Sequence, residues 1–247
     1  MTILALFLID PPERLDPPTD TTLAVMRESL QRGQRVCYAT LDGLRLGRGV
    51  PQATVREVEF PPGTELFRSG PTFELNLAED CDVVWMRKDP PVDLAYLHAT
   101  YILDFLPSRV LQINPARSLR NFCEKLAPAR FAGLQPDTLV TRSVAALADF
   151  VARHGKIVIK PLEDCSGHGI VMVEKGTADL ADGLRRATED GTRFVQGQEF
   201  LPEIAEGDIR VLMLGGEILG WVRRIPAAGD FRSNINAGGR CVPCLLG

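Results

Sequence analysis

The sequence predicts an α/β protein, with a parallel-sheet domain over residues 1–120 and a second domain of α+β character over residues 121–247. Three observations carry this expectation. The chain opens as strand, helix, strand; its pattern resets near Ser118; and its second half combines a buried β-branched run, Ile157-Val-Ile159, with a hairpin signal at Gly215-Gly216.

In order along the chain, residues 3–9 read as the first strand. Leu23, Met26 and Leu30 share one face of a helix over 22–32, Gly33 occupies the C-terminal glycine position, and 36–39 form the next strand. Residues 41–71 are rich in glycine and proline and read as a loop or hairpin excursion, with 54–60 the only convincing strand. Strand 82–86, helix 92–106 and strand 110–113 then extend a parallel sheet. Ser118 is the expected N-cap of a helix through 131, followed by a break at Pro136 and a short strand at 138–140. Beyond it, helices at 144–154 and 180–189 alternate with strands at 157–160, 170–174, 194–200, 209–214 and 217–222. No internal repeat or low-complexity segment interrupts them.

A chain of 247 residues with 45% hydrophobic and 24% charged residues can bury a sizeable core. Its net charge of -4 provides no global field for nucleic acid or an anionic membrane. The first apolar run meets Asp10-Pro11-Pro12 too early for a signal peptide, and no later run reaches the length of a membrane span, so a cytoplasmic protein is expected. The six cysteines are scattered and read as reduced thiols. Cys241-Val-Pro-Cys244 has metal or redox spacing but lacks a second pair, a nearby histidine and a following helix, so no metal site is assigned.

The most informative stretch runs from Ile157 to Ile170. Pro161 holds Lys160 in extended geometry at a strand's end, and Gly167 and Gly169 let backbone N–H groups approach a phosphate while Lys160 supplies charge. The same residues would also make a solvent-facing lysine before an ordinary turn. P-loop and dinucleotide fingerprints are absent, since neither Gly-Lys-Ser/Thr nor a third spaced glycine follows. Lys125, read as helical, is a second candidate phosphate lysine, though a lone helix lysine is by default solvated. Gln198, Glu199, Phe200 and Leu201 form a strand that becomes a linker, able to sandwich a flat ring or simply to end a strand. Asp208 and Arg210 share one strand face, able to point together as a hydroxyl acceptor and an anion donor, or to enter plain cross-strand surface ion pairs. Arg223, Arg224 and Arg232, with Asn234, Asn236 and two glycines, make a polar loop that could close over an anion. In the first domain, Arg87, Lys88 and Asp89 end one strand and Asp10 ends another, at the edge where open sheets bind small molecules. His98, His154 and His168 show no ligand spacing.

Taken together, these pieces resemble the bacterial glutathione synthetases of the ATP-grasp superfamily. The resemblance runs almost from residue 1 to Arg240. It is carried by Met86-Arg-Lys-Asp-Pro-Pro91, Ala99-Thr-Tyr-Ile-Leu103, Ser118-Leu-Arg120 with Glu124-Lys-Leu126, Lys160-Pro-Leu162 and its glycine loop, Gly207-Asp-Ile-Arg-Val211, and Arg224-Ile-Pro226 leading to Ala237-Gly-Gly-Arg240. It implies an N-terminal pre-ATP-grasp domain and an ATP-grasp domain. The implied reaction joins γ-glutamylcysteine to glycine: ATP phosphorylates the cysteinyl carboxylate, and the glycine amine then attacks the acyl phosphate. By the same resemblance Lys125 and Lys160, with Gly167 and Gly169, hold ATP phosphates, Gln198 to Leu201 the adenine, and Asp208 the ribose. Arg210 and Arg224 stabilise the transferring phosphoryl and the substrate carboxylates, and Asp10, Arg87 and Asp89 face substrate.

The sequence departs from the family in two places. Glu163-Asp-Cys-Ser-Gly167 stands where more glycine is usual, and Cys241-Val-Pro-Cys-Leu-Leu-Gly247 replaces the continuation whose carboxylates hold magnesium. The expectation is therefore an incomplete, C-terminally truncated ATP-grasp domain that keeps the family's magnesium requirement without its ligands. The alternatives are a catalytically silent glutathione- or nucleotide-binding remnant and another ATP-grasp amide ligase. Family members often form homo-oligomers, which the resemblance also admits here.

Overall fold

The computed structural model describes every residue except Met1, Pro18, Cys165, Ser166, His168, Leu246 and Gly247. The chain divides into two compact units, Met1–Cys123 and Glu124–Gly247.

In the first unit β1 (Leu4–Leu8), α1 (Thr21–Gln31), β2 (Arg35–Ala39), β3 (Leu44–Gly47), β4 (Val50–Glu59) and β5 (Arg68–Asn76) are followed by α2 (Leu77–Asp80), β6 (Val83–Met86), α3 (Leu94–Leu103), β7 (Leu111–Ile113) and α4 (Ala116–Asn121). The seven-stranded sheet has the order β3-β4-β2-β1-β6-β7, with β5 beside β4. β2, β1, β6 and β7 run parallel, and β3, β4 and β5 add an antiparallel extension. Period-two geometry explains why the first strand is apolar throughout. Leu4, Leu6 and Leu8 enter the core beneath α3, whereas Ala5, Phe7 and Ile9 enter the one that contains Met26 of α1. Asp20 and Asp93 start α1 and α3 by accepting from Thr22 N at 2.7 Å and from Tyr96 N at 2.8 Å. Cys37 and Cys81 share the core beneath α3, where burial raises their thiol pKa values to about 11 and about 12.

Two expectations are corrected here. The 41–71 interval holds more strand than the single run at 54–60: β3, β4 and the start of β5 build an antiparallel ribbon in which glycines and proline sit at turns and edges. The helix expected from Ser118 through 131 does not form. Ser118 lies inside α4, Phe122 leaves helical geometry at φ -120°, and a separate 3₁₀ segment follows at Ala127–Leu134, where Pro128 has no N–H to continue an α-helix.

The second unit contains β8 (Thr138–Thr141), α5 (Val144–His154), β9 (Lys156–Pro161), β10 (Val171–Glu174), α6 (Leu180–Thr188) and β11 (Val195–Glu199), then β12 (Asp208–Leu214), β13 (Glu217–Ile225) and β14 (Arg240–Val242). An antiparallel sheet of order β10-β9-β11-β8 carries α5 and α6 on one face, and a second antiparallel sheet has the order β12-β13-β14. Ile157 and Ile159 of β9 join Leu147, Phe150 and Leu184 in the helix-side core. Alternation therefore turns Val158 and Lys160 to the opposite face. On β11, Gly197 is on the helix side, where an added Cβ would lie 3.0 Å from Leu147 Cδ2, so Gln196 and Gln198 also face away from the helices.

Candidate functional site

The helix-free face of the β9–β11 sheet lines two adjoining cavities, of about 350 and 210 Å³. Lys125, Lys160, Gly167, Gln196 and Gln198 line the larger one. Lys160 Nζ donates to Gln198 Oε1 at 2.6 Å, and Gln198 Nε2 donates to Thr138 Oγ1 at 3.0 Å, which fixes the amide's orientation. Desolvation, then repulsion from Lys125, holds the Lys160 ammonium below the usual lysine range. Two cations brought together in a partly buried cavity make a site that an anion relieves.

Lys125 sits in a turn rather than a helix, between the end of α4 and the 3₁₀ segment in sequence. Its Nζ donates to Glu124 Oε1 at 2.7 Å and to the Asp164 carbonyl, while its own carbonyl accepts from Gln196 Nε2 at 2.8 Å. The β9–β10 loop is held from a second side by Arg193, which donates to Glu163 and Asp164 carboxylates at 3.0 Å each. Gly167 and Gly169 have positive φ of 86° and 65°, and a Cβ at Gly169 would come within 2.8 Å of Pro161 Cγ, so both need glycine. Cys165, Ser166 and His168 of this loop lie outside the described residues.

Glu199, Phe200, Leu201, Ile204, Asp208 and Phe231 line the smaller cavity, which Lys160 and Gln198 also reach. Phe200, Leu201, Ile204 and Phe231 give it an apolar side, with Phe200 and Phe231 edge to face at 6.4 Å. Asp208 is engaged across the strands, since Arg224 Nε and Nη2 reach its two carboxylate oxygens at 2.7 and 2.5 Å. Arg210 is exposed on β12 and lines neither cavity, although it shares a strand face with Asp208. Asp208 thus makes the cross-strand ion pair that was the plainer reading of this strand, with Arg224, its direct register partner.

In the first unit the parallel strands bring Asp10 and the 87–89 turn together at their carboxyl ends. Asp10 accepts from Asp89 N at 2.8 Å and pairs with Lys88 Nζ at 3.0 Å. Arg87 donates to Thr22 and Thr21 hydroxyls at 3.0 and 2.9 Å, at the start of α1. Desolvation, then the Asp10 and Asp20 charges, raises the Asp89 carboxyl pKa.

Residues the sequence reading passed over include Gln135 and Gln196 in the larger cavity, Ser233 in the smaller one, and Arg193 behind the loop. The i, i+2 glutamines of β11 were legible as one strand face. Ser233 carries no such signal, and Arg193 is recognisable only by its fold partners. Among the described residues no group of three or more His, Cys, Asp or Glu side chains is placed to hold a metal ion. Of the carboxylates lining the cavities, Glu124, Asp164 and Asp208 face lysine or arginine and Glu199 faces His154, so these residues do not gather into a magnesium site.

Comparison with known proteins identifies the architecture. The model of the prokaryotic glutathione synthetase N-terminal domain matches residues 3–120, and that of the prokaryotic glutathione synthetase ATP-grasp domain matches 124–246. The chain is 37% identical to the glutathione synthetase of Gloeobacter violaceus over 98% of its length and 76% of the relative's. It is 35% identical to that of Synechocystis over 97% of this chain and 78% of the other. Among solved structures, the ATP-grasp ligase PsnB with a minimal precursor (TM-score 0.57, 18% identity, 100% of this chain and 78% of that one) and a RimK-domain ATP-grasp protein of Sphaerobacter thermophilus (0.58, 19%, 90% and 72%) share the fold. With both domain models matched in order across nearly all of its length, the chain belongs to the prokaryotic glutathione synthetase family.

Proposed function

We propose that the protein is an ATP-dependent carboxylate–amine ligase that joins γ-glutamylcysteine to glycine. The observation that carries this reading is the pair of adjoining cavities on one sheet face, one lined by Lys125 and Lys160, the other by the apolar Phe200, Leu201 and Ile204 together with Asp208. An adenine between Phe200, Leu201 and Ile204 leaves its ribose near Asp208 and its phosphates near the two lysines and Gly167. The cysteinyl carboxylate attacks the γ-phosphorus and ADP leaves; the glycine amine then attacks the acyl carbon and phosphate leaves.

The chain's own groups act by positioning and charge neutralisation. Lys125 and Lys160 offset the phosphate charge, and the Gly167–Gly169 loop brings backbone donors to it. Glu199 to Leu201 hold the adenine edge, Asp208 the ribose, and Arg224 the developing phosphoryl and carboxylate charge; Arg210, which lines neither cavity, is left without a role in this arrangement. Asp10, Arg87 and Asp89 receive the peptide substrate. Magnesium would accompany the nucleotide and shield its phosphates; no residue here is assigned to it. The reading extends to a cytoplasmic setting with small-molecule partners and no nucleic acid or membrane, and admits a homo-oligomer. Among the described residues, no helix is long and apolar enough to cross a membrane.

The test is ADP release with γ-glutamylcysteine, glycine and magnesium. Release that depends on both substrates is expected, with Lys160→Ala abolishing it. Saturable ADP binding without such turnover would instead make the chain a nucleotide-binding remnant.

A further inference from the structure

Ser233 has no part in the roles assigned above, yet it is only 4% exposed and, among the described residues, its hydroxyl has no hydrogen-bond partner. It also lines the smaller cavity, as do Lys160, Asp208 and Phe231. A hydroxyl removed from water without a partner is costly, and such groups in native proteins face a ligand or a water.

Its neighbours fix where it points along a bound nucleotide. Arg232 Nη1 donates to the Gly167 carbonyl at 3.3 Å, and the Asn234 side chain lies so close to Gly167 that a Cβ there would meet Asn234 Oδ1 at 3.0 Å. Ser233 is thus carried between two residues that lean on the phosphate loop. Arg232 is itself locked by the Asp230 carboxylate, at 2.7 Å from Nη2. On the far side the chain folds back, with Ala237 N and Gly239 N both donating to Asn234 O at 2.9 and 3.0 Å. A Cβ at Gly239 would lie 2.4 Å from the Ser233 carbonyl oxygen, so this return demands glycine. The Ser233 backbone is therefore held on both sides, and its side chain faces a cavity that already contains the lysine proposed to bind phosphate.

We infer that Ser233 is a nucleotide-binding residue whose hydroxyl donates to a phosphate oxygen, a contact supplied by the segment between β13 and β14. This rests on the nucleotide reading of the two cavities. It adds a specificity element, because a hydroxyl donor distinguishes a nucleotide from its nucleoside.

The test compares ADP titration of the full chain with that of Ser233→Ala, alongside displacement of a fluorescent ATP analogue by adenosine. The expected result is a Kd for ADP raised about three- to tenfold, as for loss of one hydrogen bond, with adenosine unaffected and the unliganded unfolding midpoint kept. Equal losses for adenosine and ADP, an unchanged ADP Kd, or a lowered midpoint that accounts for the loss would overturn the inference. Failure of the wild-type chain to bind ADP would overturn the nucleotide reading itself, which separates the two.

Discussion

At the scale of single residues the site is governed by charges held close together. Lys160 is the clearest case, with its ammonium disfavoured by burial and by Lys125. A lysine whose folded pKa is lowered binds fewer protons than the unfolded chain between the two values, so the stability of the empty protein rises with pH through that window. Phosphate binding has the opposite requirement, since it needs the charged form. ADP affinity is therefore expected to fall as pH rises, beginning below the ordinary lysine value of 10.5, while adenosine affinity stays level. A flat ADP profile up to that value would refute the assignment. Asp208 offers a second test: removing a charged acceptor costs roughly 1.5–3 kcal/mol, so Asp208→Ala should raise the KM for ATP at least about tenfold. Arg224→Ala, which frees the carboxylate, should act mainly on kcat. Initial-rate measurements separate these outcomes. Such pairings were hidden in the sequence, because Arg210 lies two residues from Asp208 whereas Arg224 reaches it only through strand register.

At the scale of elements, period and punctuation carried most of the information. The helix at Val144–His154 was legible because Ser143 caps it, Gly155 ends it, and its apolar residues recur on one face. The β9 strand was legible from its β-branched run, and the hairpin between β12 and β13 from Gly215-Gly216. What failed had local causes: the ribbon of β3, β4 and β5 pairs consecutive strands whose glycines and prolines hide the strand pattern, and the Ser118 helix was cut by Phe122 and Pro128. Gly207 shows how strictly one element can depend on one residue. Its φ is +95°, and an added Cβ would lie 2.3 Å from the Arg224 carbonyl oxygen. Gly207→Ala should cost more than ~2 kcal/mol and displace Asp208 from Arg224. Urea unfolding with ADP titration measures both effects; wild-type values for both would show that the β12–β13 pairing tolerates the change.

For the whole molecule, the two units have separate cores and each draws its strands from one continuous stretch of chain. From the change of sequence pattern near residue 120 we propose a domain boundary there. Residues 1–123 expressed alone should unfold cooperatively, and limited proteolysis of the full chain should cut first between 121 and 127, around Phe122 and the Lys125 turn. A first cut inside β4 or β5, or a fragment without a cooperative transition, would contradict this. ADP should protect the cut site, since Lys125 lines the cavity proposed to bind the nucleotide.

The buried thiols of the first unit bear on the chemistry of a protein that handles a thiol peptide. With pKa values near 11 and 12, Cys37 and Cys81 are ionised in about one molecule in ten thousand or fewer at neutral pH. Only a thiolate attacks a disulfide, so these two core thiols are inert toward oxidised substrate or product that accumulates around them. Under oxidative stress the sheet that carries Asp10 and Asp89 would keep its shape while the peptide it serves cycles between thiol and disulfide.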